Sequence, residues 1–148
     1  MGLPKTIAIG TLKGGVAKTT TCLSLAAGLA EAGKSVLAID LDPQAHLTLS
    51  LGLEPRPLKK TIMTVLLGDA TMADIIKKTA MPLLEAAPAS EDLAVLEKML
   101  YGTRNYEHFL RRSLETLDPG RYDTVLIDTS PSFGPLTLNA LTAADLLI

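Results

Sequence analysis

The sequence predicts an α/β protein: a mostly parallel β-sheet flanked by helices. Three observations carry that expectation. Short apolar runs suited to buried strands alternate with helical patterns. The first strand runs into a glycine-rich turn and then directly into a helix. Two later apolar runs end in an acid, at Asp40 and at Asp128. In a parallel sheet the carboxyl ends of the strands share one edge, where ligands bind.

Along the chain, Lys5 to Leu12 reads as the first strand, β-branched at Ile7 and Ile9. Thr19 to Glu31 reads as a helix, with Cys22, Leu25, Ala26 and Leu29 on one stripe and Leu23, Ala27 and Ala30 on another. Gly33 is placed to cap it. Cys22 falls in the stripe and reads as packing, not as a nucleophile. Ser35 to Leu41 is the second strand. Leu47 to Leu53 is apolar and compatible with helix or strand, and Glu54-Pro55-Arg56-Pro57 is a turn.

Thr61 to Leu67 predicts a short helix and Met72 to Lys78 another, with Lys77 and Lys78 exposed. Leu83 to Ala87 predicts a strand. Ser90 is a candidate N-cap for a helix reaching about Tyr101. Tyr106 to Leu117 is amphipathic, with Tyr106, Phe109, Leu110, Leu114 and Leu117 on one face. Tyr122 to Asp128 is a strand, Thr129 to Ser132 a loop and Leu136 to Ala143 a helix. Asp145 to Ile148 resembles the start of a further strand, which leads us to expect an N-terminal piece of a longer protein.

Composition narrows the function classes. The 148 residues are 47% hydrophobic and 20% charged, the balance of one globular domain with a real core. Apolar stretches are interrupted well before the ~20 residues a membrane span needs. Met1 to Lys5 lacks the pattern of a signal peptide, and Gly2 is a poor myristoylation site. A single cysteine excludes an internal disulfide framework and fits a reducing compartment. A net charge of −2 gives no global attraction for a polyanion.

The chemistry concentrates in Lys13-Gly14-Gly15-Val16-Ala17-Lys18-Thr19-Thr20. A glycine-rich turn opening a helix aims backbone N–H groups at the positive end of the helix dipole, which suits a phosphate. Lys18 can reach the outer phosphates and the Thr19 hydroxyl can ligate Mg²⁺. The usual phosphate-loop glycines would fall on Leu12 and Ala17, so what fits is the variant K-G-G-x-x-K-T, with an additional lysine at Lys13. Asp128, at the end of Val125-Leu126-Ile127, is a candidate Mg²⁺ ligand, provided its strand neighbours the first strand.

These motifs resemble the ParA/MinD family of ATPases, in its ParA/Soj branch, whose deviant Walker A motif the loop matches. The resemblance implies a P-loop NTPase-like fold, with residues 1–148 as the N-terminal part of a single ATPase domain. It implies ATP and Mg²⁺ as cofactors, and an ATP-dependent homodimer in which Lys13 reaches the partner's phosphates. Asp40-x-Asp42-Pro43-Gln44 is similar to the family's switch I. Asp42 would orient the attacking water and Asp40 would support the Mg²⁺ shell. Asp128-Thr129-Ser130-Pro131-Ser132 is similar to switch II, with Pro131 coupling the γ-phosphate to a partner surface. The implied activity is slow, partner-stimulated ATP hydrolysis in chromosome or plasmid partitioning. The implied partners are a ParB-like centromere-binding protein and non-specific DNA, in a cytoplasmic, nucleoid-associated setting without membrane attachment. The choice of ATP over GTP rests on the resemblance.

Two positions depart from the family pattern. Ala17 replaces a glycine and reads as a tolerated variant, although a positive φ there would strain it. His46 stands where Asn is common and reads as a partly exposed loop residue. His108 has no metal-ligating neighbours, and Arg111 and Arg112 read as a solvated face. A MinD-like or other cargo-positioning ATPase is the nearest alternative, although Pro43-Gln44 argues against MinD. An iron–sulfur ATPase of the nitrogenase-reductase kind would need more than Cys22. A nucleotide-binding or docking module without catalysis is the alternative of another class.

Overall fold

The computed structural model describes residues 5–10 and 17–148. The expectations for Lys13, Gly14, Gly15 and Val16, and for residues 1–4, lie outside the described residues. Among the described residues one six-stranded sheet forms, in the order β3-β4-β2-β5-β1-β6. Its strands are β1 (Lys5–Ile9), β2 (Val36–Leu41), β3 (Lys77–Lys78), β4 (Leu84–Ala87), β5 (Thr124–Thr129) and β6 (Leu146–Leu147). Every pairing is parallel except that of β3 with β4.

Side-chain alternation along the strands divides the core in two. Leu37, Ile39 and Leu41 of β2 join Val125 and Ile127 of β5 on one face, packed against Leu93, Leu96, Leu110 and Leu136. Val36 and Ala38 join Leu126 on the other face, packed against Cys22, Ala26 and Ala30 of α1 (Lys18–Glu31). Asp40 and Asp128 lie two residues beyond Ala38 and Leu126, so the same alternation turns both towards the α1 face.

Only the Cys22–Ala26–Ala30 row of α1 is fully buried, a narrower stripe than expected, and its small side chains bring the helix close to the sheet. Gly33, at φ +83, ends α1. Its N–H bonds Ala30 O and that of Lys34 bonds Leu29 O, both at 3.0 Å, the paired bonds of a Schellman cap.

The ambiguous segment after β2 is helical, α2 (His46–Ser50), and ends at Gly52, φ +82. Two short helices follow, α3 (Ile62–Leu66) and α4 (Met72–Ile75). The helix expected to continue to Lys78 stops at Ile75, because Lys77 and Lys78 pair antiparallel with Glu85 and Ala86. Lysines on such a short outer strand discourage further pairing. Ser90 does not cap α5 (Leu93–Leu100): the N-cap is Asp92, and Ser90 contributes its carbonyl to the N–H of Leu93.

The segment after Asn105 begins as a 3₁₀ turn (Tyr106–His108) and becomes α6 (Phe109–Glu115). Its irregular start is held by Asn139 of α7 (Pro135–Ala143), which is fully buried. Asn139 Oδ1 accepts from Leu110 N at 3.0 Å while its amide donates to Pro135 O at 3.0 Å.

Candidate functional site

β5 lies between β1 and β2, with Asp128 opposite Ile9 on one side and Asp40 on the other. This gives the adjacency that a shared site for Thr19 and Asp128 requires. Thr129 reinforces it, its hydroxyl donating to Ile9 O at 2.8 Å. The sheet edge therefore presents the end of β5 directly beneath the first turn of α1.

There the Thr19 hydroxyl donates to Asp128 Oδ2 at 2.6 Å. Asp128 is fully buried, and its Oδ1 has no hydrogen-bond partner among the described residues. Burial is the main reason its carboxyl is pushed up to about 6; the Thr19 bond opposes the shift, the Asp42 charge adds to it, and Lys18 and His46 oppose it. Lys18, Asp42 and His46 thus all fall within the electrostatic reach of one buried carboxylate. A buried carboxylate with a free oxygen is costly unless a cation faces it. A hydroxyl and a carboxylate are oxygen donors of the kind Mg²⁺ prefers.

Above this pair, α1 begins without protection. Ala17 takes the N-cap in the left-handed region, φ 57 and ψ 35. Among the described residues no side chain caps the helix, and no acid stands in its first turn. The first N–H groups of this 14-residue helix stand at the positive end of its dipole, where an anion is favoured, with Lys18 as the first helical residue.

The segment after β2 is tightly organised. Asp42 Oδ1 accepts from Gln44 N at 2.9 Å, an Asx turn, and Ala45 closes the loop at φ 55. Asp40, expected to support a metal, has both oxygens engaged elsewhere. Oδ1 accepts from Asp42 N at 3.0 Å, while Oδ2 accepts from Thr48 N at 2.9 Å and Thr48 Oγ1 at 2.7 Å. Burial raises its carboxyl to about 6, against the lowering effect of those bonds. Pro43 is half-buried and Gln44 exposed. His46 is exposed at the start of α2.

Pro131 is exposed, in a loop fixed from both sides. Ser130 Oγ lies 3.0 Å from Ser132 Oγ, and the Thr137 hydroxyl donates to Ser132 O at 2.6 Å. Gly134 ends that loop against Glu97 of α5, whose Oε1 has no partner among the described residues. A cavity of about 560 Å³ lies beside the β2–α2 loop, walled by Pro43, Gln44, Arg56 and Glu91 among others. It is not the site of the Thr19–Asp128 pair, since neither residue lines it. Cys22 is buried; burial first, then the nearby charges of Asp128 and Asp40, pushes its thiol well above the ordinary range, as suits a packing residue.

Sequence reasoning missed Thr48 and Asn139. Each is a short polar residue inside an apolar run, a signal that marks a buried hydrogen bond without showing its partner.

A parallel sheet with a lysine- and threonine-bearing helix start above a strand-terminal acid defines the class of P-loop nucleotide-binding proteins. The family model described as an AAA domain matches residues 4–148. The sporulation initiation inhibitor protein Soj of Bacillus subtilis is 44% identical over 97% of this chain and 56% of its own length. The chromosome partitioning protein ParA of Caulobacter vibrioides is 42% identical over 95% of this chain and 53% of its own. A crystal structure described as cobyrinic acid a,c-diamide synthase from Mycobacterium smegmatis, with bound ATP analogue and magnesium, superposes with a TM-score of 0.93 at 45% identity, covering 97% of this chain and 58% of that one. The chain belongs to this AAA-domain family of P-loop NTPases, in its ParA/Soj branch. It spans a little over half the length of these relatives.

Proposed function

We propose that the protein is a Mg²⁺-dependent ATPase of the ParA type, acting in partitioning of a chromosome or plasmid. The observation that carries this reading is the bond from Thr19 to the buried Asp128, one of whose carboxylate oxygens has no partner among the described residues, beneath a helix start that no described side chain caps. ATP and Mg²⁺ are favoured because a solved relative binds an ATP analogue with magnesium. When bound, Mg²⁺ neutralises developing charge on the phosphates. Thr19 and Asp128 would hold it. Lys18 and the first N–H groups of α1 bind the β- and γ-phosphates. Lys13, Gly14, Gly15, Val16, Ala17 and Thr20 complete the proposed nucleotide-binding set.

Asp42 orients the attacking water in line with the γ-phosphate, and its Asx turn fixes the carboxylate for that task. Pro43, Gln44 and Pro131 belong to the loops that respond to the γ-phosphate. Lys13 crosses to the partner's nucleotide in an ATP-bound homodimer. A ParB-like protein stimulates hydrolysis and non-specific DNA is the track; both rest on the family resemblance and on relatives named for partitioning. No helix among the described residues is long and apolar enough to cross a membrane. The setting we propose is cytoplasmic, at the nucleoid.

The test is ATP turnover by the full-length protein with DNA and its partner. Lys18→Ala abolishes nucleotide binding, whereas Asp42→Ala binds ATP and loses turnover by about 10²–10³-fold. Unchanged affinity in the first variant, or normal turnover in the second, contradicts the assignment.

A further inference from the structure

The β2–α2 loop that carries Asp42 is clamped from behind by one buried hydroxyl. Thr48 is 1% exposed and Asp40 1%, while Ala89 is fully buried. Thr48 Oγ1 donates to Asp40 Oδ2 at 2.7 Å and accepts from Ala89 N at 3.0 Å. Asp40 Oδ1 in turn receives the N–H of Asp42. A continuous chain of hydrogen bonds therefore runs from the segment after β4, through Thr48 and Asp40, to the backbone of the residue proposed to orient water. Ala89 immediately precedes Ser90, Glu91 and Asp92, which wall the same cavity as Pro43 and Gln44.

We infer that Thr48 is a positioning residue for hydrolysis: through Asp40 it holds Asp42 in register with the β4–α5 segment. Asp40 then serves the loop and not the metal shell. Three donors already engage its carboxylate, two on Oδ2 and one on Oδ1, and all come from the loop or from α2. This inference rests on the reading of Asp42 as the water-orienting group.

Thr48→Val keeps the size and shape of the side chain but removes the donor to Asp40 and strands the Ala89 N–H. Thr48→Ser restores both bonds. In the full-length protein with saturating DNA and partner, Thr48→Val lowers kcat by about 10- to 100-fold, the scale of a misplaced reacting group. KM for ATP and the Mg²⁺ concentration at half-maximal rate stay within about twofold, since the phosphate-binding residues are untouched. Thr48→Ser returns kcat to near wild type. Asp40→Asn gives the same kcat-selective loss, and supplies the readout should Thr48→Val fail to fold.

Wild-type kcat in Thr48→Val overturns the inference. So does a higher Mg²⁺ requirement in Asp40→Asn with the rate recovered at saturating Mg²⁺, which would return Asp40 to the metal. A wild-type protein that does not turn over ATP at all overturns the underlying reading instead.

Discussion

The Thr19 hydroxyl and Asp128 Oδ2 lie 2.6 Å apart, which fastens the first turn of α1 to the end of β5. The bond satisfies one oxygen of a fully buried carboxylate and leaves the other unpartnered among the described residues. Such an arrangement favours cation binding at the expense of the nucleotide-free fold. Asp128→Asn removes the buried charge while its side-chain oxygen can still accept from Thr19. The variant should be more stable than wild type without nucleotide, by about 1–3 kcal/mol, yet lose Mg²⁺-dependent ATP turnover. Urea denaturation together with a turnover assay checks both halves.

Stability should also depend on pH in an uncommon direction. Asp40 and Asp128 are both raised from 3.8 to about 6. A carboxyl raised in the folded state binds its proton more tightly there than in the unfolded chain, so folding is favoured where the proton is on. The two groups therefore make the nucleotide-free protein less stable as pH rises from about 4 to about 6, with no further change above. Asp74 and Asp123 are lowered, by bonds from Thr71 and Ser35, and their contributions are lost only as pH falls below 3.8, outside this window. Chemical denaturation at pH 5 and pH 7 should find the greater stability at pH 5, and the difference should shrink in Asp128→Asn.

Ala17 holds the left-handed conformation that glycine adopts without strain. Ala17→Gly should stabilise the protein by roughly 0.5–1 kcal/mol. Its carbonyl still accepts from Thr21 N, at 2.9 Å in the present structure, so the start of α1 is kept. Thermal unfolding measures the gain, and ATP affinity should not fall.

Gly134 is constrained from outside its own loop. A Cβ there would lie 3.2 Å from Glu97 Cδ and closer still to Oε1. Gly134→Ala must displace the Glu97 carboxylate, the far end of a flexible side chain, so the cost should stay below about 1 kcal/mol. In a Glu97→Ala background the same substitution should cost much less. A double-mutant cycle in urea reads the coupling directly.

The sequence was most legible where local chemistry and periodicity agree. The strand followed by a helix, Gly33 as a cap and the acids near the ends of β2 and β5 can all be read from spacing. The helix expected through Lys78 failed because pairing of Lys77 and Lys78 with β4 is a tertiary event. Ser90 was misread because a good cap residue does not fix where a helix begins, and α5 starts at Leu93. At the site, Thr19 and Asp128 could be named from their motifs. The engagement of Asp40 by Thr48 could not, since its partners depend on where α2 turns back over β2. The positive φ of Ala17 was anticipated only as a risk of substitution, because sequence shows which residue is present and not its dihedral.

The central claim is that Lys18, Thr19 and Asp128 converge on one Mg²⁺–triphosphate. A crystal structure of the full-length protein with a non-hydrolysable ATP analogue and Mg²⁺ tests it most directly. The account predicts the ion about 2.0–2.1 Å from Thr19 Oγ1, Asp128 facing it directly or through one water, and Lys18 on the outer phosphates. A triphosphate seated elsewhere, with the Thr19–Asp128 hydrogen bond intact, would contradict it.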